Sequence, residues 1–271
     1  MSFATPWVNS YNSIMKLIQD PVTGMLSGTY ASTTGGTGTY DVIGWASLQE
    51  ATSKLGQTMA ISILWRSNDG GKSDPSHEAS GMAGQLILTG SQQSLVLEHI
   101  FVETEPDTVP HTGFYPDKLI FTPAESAETN AADNTAKFIA ATAEMRENLE
   151  GTWVGTIAEQ CVEICFNLPV KGAIQLAGTI TYPDGKTYPI VGFTDIFAVS
   201  SSLNMQSISF STYTDEPNGR KCISMAGHLN LSNGKIALAK MKAEATAPDS
   251  TWHHVQLEQC QLEKKISRLN N

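Results

Sequence analysis

Residues 24–32 read Gly24-Met25-Leu26-Ser27-Gly28-Thr29-Tyr30-Ala31-Ser32, and the motif at their centre occurs twice in the chain. Leu26-Ser27-Gly28-Thr29 returns as Leu176-Ala177-Gly178-Thr179. Three further motifs return in the same order: Trp7 as Trp153, Tyr40-Asp41-Val42-Ile43-Gly44 as Tyr188-Pro189-Ile190-Val191-Gly192, and Met82-Ala83-Gly84 as Met225-Ala226-Gly227. Because the motifs keep one order and nearly one spacing, the chain is predicted to contain two copies of a single domain.

Each copy is predicted to consist of β-strands. Segments such as residues 58–65 and 94–102 are short and rich in apolar and β-branched side chains, and polar, Gly-containing clusters separate them. Short strands at such regular spacing are typical of an all-β barrel or sandwich rather than of βαβ units. Many segments are apolar on both faces, which indicates that the outside of each barrel is covered by the other copy.

Residues 123–148 join the two copies and are rich in Ala, Glu, Thr and Asn. From about Asp133 onward, one stripe of side chains recurs at helical spacing, which predicts a short amphipathic helix against a barrel. Its members are Phe138, Thr142, Met145 and Leu149. The simplest role for this segment is that of a linker. We therefore expect the first domain at residues 5–122 and the second at residues 149–265.

The overall charge argues against one class of partner. The chain has 27 acidic and 17 basic side chains, a net charge of −10, and only 16% charged residues in all. So few charges exclude disorder for most of the chain, because such a sequence would bury itself rather than stay solvated. An acidic body without a Lys/Arg cluster repels phosphate backbones and anionic membranes, so no nucleic acid partner is expected.

The sequence also bears on membranes and compartment. No stretch approaches the roughly 20 apolar residues of a membrane span, and residues 1–7 lack the basic and apolar regions of a signal peptide. We therefore expect no membrane partner and a cytoplasmic location. The four cysteines are expected to be reduced, at Cys161, Cys165, Cys222 and Cys260.

The first copy resembles the avidin and streptavidin family, eight-stranded up-and-down barrels that hold biotin in an open mouth. Residues 7–13 are similar to the opening strand and loop of that family, and residues 24–32 to its Gly-Thr-Tyr-x-Ser strand. Residues 61–66 resemble the strand that ends in a biotin-stacking Trp, and residues 80–85 the Thr-x-Trp-Ser-Gly-Gln strand. The resemblance implies an all-β fold of two tandem eight-stranded up-and-down antiparallel β-barrels that form a pseudo-dimer.

The same resemblance implies a ligand site at the mouth of the first barrel. Asn9 and Ser13 would bind a ureido oxygen, and Tyr30 would complete that cradle of donors. Ser32 would take a ureido N–H, and Trp65 would stack on the ligand. The other candidate ligand-binding residues are Trp7, Ser80 and Met82.

Some positions depart from the family pattern. Met82 stands where the family has a second stacking Trp, and the counterpart of its seventh-strand Trp falls at Glu98 or His99. No Asp is in register within residues 119–122, near the end of the eighth strand. Each lost aromatic side chain removes buried area and stacking, so tight biotin binding is not expected.

The second copy is expected to keep the scaffold without the site. Ile180 stands at the position that Tyr30 has in the first copy, and Gly155 stands at the position of Asn9. The donors of the cradle are thereby lost. This copy is predicted to be a structural half that caps or buttresses the first barrel.

Two functions stay open for the first barrel. The first is a cofactor-independent enzyme of the cyclase, pericyclase or isomerase type. In it, Asn9, Ser13 and Tyr30 would polarise the carbonyl of an apolar substrate, with His99 or Glu98 to move protons. The second is a divergent avidin-like binding protein for biotin or a related cyclic urea or amide. The changed aromatic walls favour the enzyme narrowly.

No metal or cofactor is expected. No Cys/His set has zinc spacing, and the adjacent His253 and His254 would point to opposite faces of a strand. The expected partner is a small-molecule ligand or substrate. A monomer and a homodimer of the pseudo-dimeric chain both stay open, since a fused pair already buries the surface that joins two family subunits.

Overall fold

The structure, a computed structural model, describes residues 3–33, 37–68, 78–103, 113–124, 148–157, 159–168, 174–195, 205–250, 252 and 254–265. These residues form two closed barrels of eight antiparallel strands each, and every strand pairs with its neighbours in sequence. This confirms the all-β, tandem up-and-down architecture. The predicted linker helix lies outside the described residues, except that Leu149 is buried in the core of the second barrel.

The first barrel runs from β1 to β8, and β1 closes it by pairing with β8. Its strands are β1 (Trp7–Asn9), β2 (Ile14–Gln19), β3 (Met25–Ser32), β4 (Gly38–Ala46), β5 (Gln57–Leu64), β6 (Ala79–Thr89), β7 (Gln92–Glu103) and β8 (Gly113–Pro123). The second barrel repeats this order, and its first strand closes on its last. Its strands are β9 (Gly151–Ile157), β10 (Gln160–Asn167), β11 (Gln175–Thr181), β12 (Thr187–Thr194), β13 (Met205–Glu216), β14 (Gly219–Asn230), β15 (Lys235–Ala243) and β16 (Val255–Lys264).

Alternate residues of each strand point into the barrel, as the two-residue period of a β-strand requires. On β3, Leu26 and Tyr30 are buried in the core of the first barrel. Leu176 and Ile180 take the corresponding places on β11 in the core of the second barrel. The interior of each barrel is thus a single apolar core, filled by side chains from all eight strands.

The repeated motifs share a glycine because their strands approach their neighbours closely. A Cβ atom on Gly28 would overlap the carbonyl oxygen of Lys16, and one on Gly178 would overlap that of Cys165. The glycines of the other two repeated motifs, Gly44 with Gly192 and Gly84 with Gly227, meet a neighbouring carbonyl oxygen in the same way. The repeat therefore preserves the positions at which a side chain would push two strands apart.

The two barrels pack face to face through the outer sides of β4–β7 and β12–β15. All eight residues of β5 are buried, because one face lines the first barrel and the other meets the second. Two apolar clusters span this boundary, one around Ala83, Ala226 and Met241 and the other around Trp45 and Phe193. The prediction that each barrel covers the outside of the other is confirmed for this face.

Polar contacts between the barrels reach the strands that carry the candidate site. The hydroxyl of Ser209 donates to the backbone carbonyl of Ser80 at 2.6 Å, and that of Ser224 donates to the carbonyl of Ile61 at 3.1 Å. Arg66, which follows β5, forms an ion pair with Asp195 of the second barrel. The second barrel thereby holds the β5 and β6 side of the first barrel in place.

Two further observations concern cysteines and membranes. Cys161, Cys165, Cys222 and Cys260 are all free thiols. Nowhere in the described ranges is there a helix that could cross a membrane.

Candidate functional site

Three predicted residues meet at one end of the first barrel, where β1, β2 and β3 adjoin. Asn9 ends β1, Ser13 precedes β2, and Tyr30 lies on β3. The side-chain oxygen of Asn9 accepts the backbone N–H groups of Tyr11 and Ser13, each at 3.0 Å. These two bonds set the orientation of the amide, so that its NH₂ group points to the Tyr30 hydroxyl at 3.3 Å.

The Tyr30 hydroxyl is a neutral donor. Its burial raises the pKa of the phenol, although interactions with the Ser13 and Asn9 side chains partly oppose that rise. Because Asn9 donates to the phenol oxygen, the O–H of Tyr30 is left to donate elsewhere. The local turn at Asn9 and the β3 strand therefore bring Asn9, Ser13 and Tyr30 together as neutral polar groups. We call these three residues the cradle.

Trp65 forms the centre of an aromatic wall beside the cradle. Its ring meets Tyr30 edge-on, with ring centroids 5.8 Å apart. It meets Tyr40 and Phe101 in the same manner, at 4.8 Å and 6.2 Å. Sequence analysis missed both Tyr40 and Phe101. Their signals were present: Tyr40 opens a repeated motif, and Phe101 is two residues after His99 and so shares its strand face.

Ser80 joins Trp65 to His99. The indole N–H of Trp65 donates to the Ser80 hydroxyl at 2.8 Å, and Nε2 of His99 lies 2.8 Å from the same oxygen. The Ser80 oxygen has two lone pairs, so it either donates its proton to Nε2 or accepts a second hydrogen bond from it, according to the tautomer of His99. Burial lowers the pKa of His99 to about 4, so its imidazole is neutral at neutral pH.

Glu98 is not part of this arrangement. It neighbours His99 on β7 and so points to the other face of the strand. Its carboxylate lies 3.4 Å from the ammonium of Lys118, its cross-strand partner, and both side chains are about a third or more exposed. The structure thus separates the two residues that sequence analysis offered as proton carriers.

The remaining predicted ligand-binding residues are all buried. Met82 lies opposite His99 in the register of β6 and β7, within the core of the first barrel. Trp7 is fully buried in the same core, two residues before Asn9. Ser32 is buried at the end of β3. Met82 and Trp7 therefore belong to the packed floor beneath the cradle.

Asp117 is a candidate site residue that sequence analysis missed. It lies on β8 as the cross-strand partner of His99, and its charge raises the pKa of both Tyr30 and His99. Sequence analysis looked for the carboxylate of the family's eighth strand within residues 119–122. Asp117 is two residues before Leu119 and therefore lies on the same face of β8 as Leu119. The two-residue period of a strand would have identified Asp117 as an inward-facing residue. That step required knowing that β8 begins before residue 117, which was not evident from the sequence.

The corresponding end of the second barrel lacks the cradle. The strand registers place Gly155, Val162 and Ile180 at the positions of Asn9, Ser13 and Tyr30. None of the three carries a polar side chain. Among the residues that the structure describes, no three His, Cys, Asp or Glu side chains are grouped as a metal site.

Comparison with known proteins concerns the first barrel. Residues 1–105 match the model of the Avidin family, a range that holds β1 to β7 with the cradle, the aromatic wall and His99. No curated protein matches the chain. The family match and the two closed eight-stranded antiparallel barrels together make this chain an avidin-like tandem protein.

Proposed function

We propose that the first barrel binds a small neutral molecule that carries a ureido or amide carbonyl, such as biotin or a related cyclic urea or amide. The fold itself suggests a ligand-binding protein. The observation that carries the finer proposal is the Asn9 amide, whose oxygen is held by two backbone N–H groups so that its NH₂ faces Tyr30. Preorganised neutral donors of this kind suit a carbonyl oxygen.

The surroundings of the cradle support the same ligand class. Trp65, Tyr40 and Phe101 offer a rigid aromatic wall for an apolar ring. Asp117 adds an acceptor close to Tyr30, and a cyclic urea or amide carries N–H groups as well as a carbonyl. A ligand with a carbonyl and an adjacent N–H would bind the cradle through the carbonyl and Asp117 through the N–H.

Affinity for biotin is expected to fall below that typical of the family. Met82 is buried where the family has a stacking Trp, and the carboxylate is supplied from Asp117 rather than from residues 119–122. A thioether can pack on a ring, but it lacks the area and stiffness of an indole. Smaller cyclic ureas and amides are therefore tested beside biotin.

Calorimetric titration of the full chain with biotin and with 2-imidazolidone tests the proposal. We expect one binding site per chain, and Tyr30→Phe weakens binding by about 1–3 kcal/mol, the cost of one buried donor. Tyr182→Phe removes a tyrosine hydroxyl from the second barrel, outside the cradle, and serves as the matched control. Equal affinity in wild type and Tyr30→Phe would show that the cradle does not hold the ligand, and no binding of either compound would reject the ligand class.

A cofactor-independent enzyme is a second candidate because of one observation, the neutral His99 beside Ser80. An unprotonated imidazole that faces the barrel interior is able to accept a proton from a substrate. Two findings make this candidate weaker: Glu98 faces away from the site, and Ser80 already engages His99. The variant His99→Phe distinguishes the two candidate functions. A binding protein keeps its affinity for the ligand in this variant. An enzyme that uses His99 also keeps its affinity but loses turnover.

A further inference from the structure

The interior of the second barrel contains an ion pair that a purely structural barrel does not require. Nζ of Lys240 on β15 lies 2.9 Å from Oε2 of Glu258 on β16, and the two side chains are only 5% and 18% exposed. Lysine is almost never fully buried unless it is paired. The desolvation of two charges commonly exceeds the gain from their attraction. A barrel that served as packing alone would be equally stable with apolar residues here.

The ion pair occupies the place that His99 and Asp117 occupy in the first barrel. His99 is the cross-strand partner of Met82 and of Asp117. Lys240 is the cross-strand partner of Met225 and of Glu258. Since Met82 and Met225 belong to one repeated motif, both barrels place a basic side chain opposite a carboxylate at the same interior position. The second barrel has therefore changed the chemistry of this position rather than lost it.

A cavity of about 530 Å³ adjoins the ion pair. Lys240 and Lys242 line it, together with Thr214 and the rings of Tyr182 and Tyr188. The two rings meet edge-on with centroids 6.0 Å apart. This end of the barrel is the counterpart of the cradle end of the first, because Tyr188 and Tyr40 begin the same repeated motif.

Two polar groups of the cavity have unused hydrogen-bonding capacity. An ammonium carries three donors, and Glu258 is the single hydrogen-bond partner of Lys240 among the described residues. The hydroxyl of Thr214 is buried with no partner in that same part of the chain. Buried donors are normally satisfied, so a ligand that brings acceptor oxygens fits this cavity.

The distribution of charge narrows the ligand class. Lys240 is the least exposed of the charged side chains that line the cavity, at 5%, whereas the carboxylates of Asp184 and Asp215 are 53% and 60% exposed and pair with Lys186 and Arg220. Glu258 balances the charge of Lys240, so an anion binds there through the remaining N–H donors of the ammonium. The exposed carboxylates of the lining, which include Glu159 and Glu216, disfavour a second negative charge on the ligand. A single carboxylate on an apolar body meets both conditions, while a phosphate dianion does not.

We propose that the second barrel is a second binding site, for a small monocarboxylate. Its carboxylate binds the ammonium of Lys240 and the hydroxyl of Thr214, and its apolar body packs on Tyr182 and Tyr188. This site is independent of the neutral-ligand site proposed for the first barrel. The chain then binds two different classes of small molecule, one in each barrel.

Calorimetric titration of the full chain with phenylacetate, and with phenylacetamide as its neutral counterpart, tests the proposal. Phenylacetate is expected to bind with one site per chain, and the amide about tenfold or more weakly, as loss of a charged hydrogen bond implies. The double variant K240Q/E258Q weakens phenylacetate binding by a similar factor, without leaving a buried charge unpaired. Tyr30→Phe leaves it unchanged, which separates this site from that of the first barrel.

The chain offers a matched control on the same two strands. Lys235 and Glu263 are also cross-strand partners on β15 and β16, with Nζ and Oε1 2.7 Å apart, but they face solvent. K235Q/E263Q removes the same charges and is expected to bind phenylacetate as wild type does. If K240Q/E258Q does not fold, Thr214→Val, which keeps the side-chain shape, still weakens binding.

Several results would overturn the proposal. They are the absence of phenylacetate binding at millimolar concentration, equal binding of the amide, and unchanged binding in K240Q/E258Q or, where that variant does not fold, in Thr214→Val. Loss of phenylacetate binding in Tyr30→Phe would place the ligand in the first barrel and overturn it as well.

Discussion

The guanidinium of Arg66 lies 3.2 Å from the carboxylate of Asp195, and this ion pair connects the mouth of the first barrel to the second. Arg66 directly follows Trp65, the centre of the aromatic wall. Asp195 is fully buried and Arg66 is 11% exposed. Together with the bond from Ser209 to the Ser80 carbonyl, this contact ties two sides of the site to the other barrel. The second barrel thus supports the first beyond covering its apolar face.

Removal of the Asp195 carboxylate is expected to destabilise the chain strongly. Asp195→Ala leaves the Arg66 charge buried without this ion pair, which lowers the free energy of unfolding by about 3 kcal/mol. Urea denaturation followed by circular dichroism measures the change. Lys235→Gln removes one partner of an exposed pair, and its unfolding is expected to match that of wild type. The same midpoint for both variants would show that the Arg66 contact does not stabilise the pseudo-dimer.

Asp117 is expected to control the ionisation of two site residues at once. Its charge raises the pKa of Tyr30 and of His99, so Asp117→Asn should lower both values. NMR titration of the His99 ring and ultraviolet titration of the tyrosines measure the two shifts. Glu98→Gln is the control, because Glu98 lies on the outer face of the neighbouring strand and should leave both pKa values in place. A fall of only one of them would contradict the arrangement.

Stability should fall in acid because the folded barrel keeps the partly buried His99 in its neutral form. Its pKa is lowered to about 4, whereas an exposed histidine has a pKa near 6.5. Between these two values the unfolded state binds a proton that the folded state does not, so stability rises with pH and is fully present above about pH 6.5. The loss on acidification from pH 6.5 to pH 4 is up to about 3 kcal/mol.

The histidine variant isolates this contribution. His99→Phe removes the group that titrates, so the free energy of unfolding of the variant should depend less on pH between 4 and 6.5. The difference between wild type and variant is measured by denaturation at several pH values, which cancels the contributions of other buried groups such as His228 and Asp41. Parallel pH profiles for the two proteins would mean that folding does not lower the pKa of His99.

The glycines of the repeated motifs should resist substitution. A methyl group on Gly28 would overlap the backbone carbonyl of Lys16, and one on Gly178 would overlap that of Cys165. Gly28→Ala and Gly178→Ala are each expected to lower the free energy of unfolding by about 1–3 kcal/mol, the usual cost of overpacking. Thermal denaturation of the two variants checks this. Wild-type stability in either one would mean that the strands are not held at this spacing.

Sequence analysis was most successful where the needed information is local. Asn9, Ser13 and Tyr30 stand in two segments that resemble the avidin family, so the cradle was predicted from that resemblance without knowledge of the register. The division into two barrels was predicted from the order of four repeated motifs. Each of these inferences depends on residues close together in the chain, or on self-similarity that is visible without coordinates.

Most of the omissions concern pairing between strands. A shift of one residue turns a side chain to the other face of a strand, and sequence analysis therefore could not choose between Glu98 and His99. Asp117 was missed because it joins the site through its register with His99 on β7. The pair of Lys240 and Glu258 was missed for the same reason, since each residue alone is typical of a solvated surface.

The amino-acid order of this chain was sufficient to predict strands and a duplicated domain, because periodicity and repeated motifs are visible along the chain. The eight-stranded barrel and the cradle were predicted from the resemblance to the avidin family. Which charges face inward, and which contacts pass between the barrels, depended on the register of sixteen strands and on their closure. Those features arise from residues far apart in the chain, such as Arg66 with Asp195, whose proximity only the packed barrels produce.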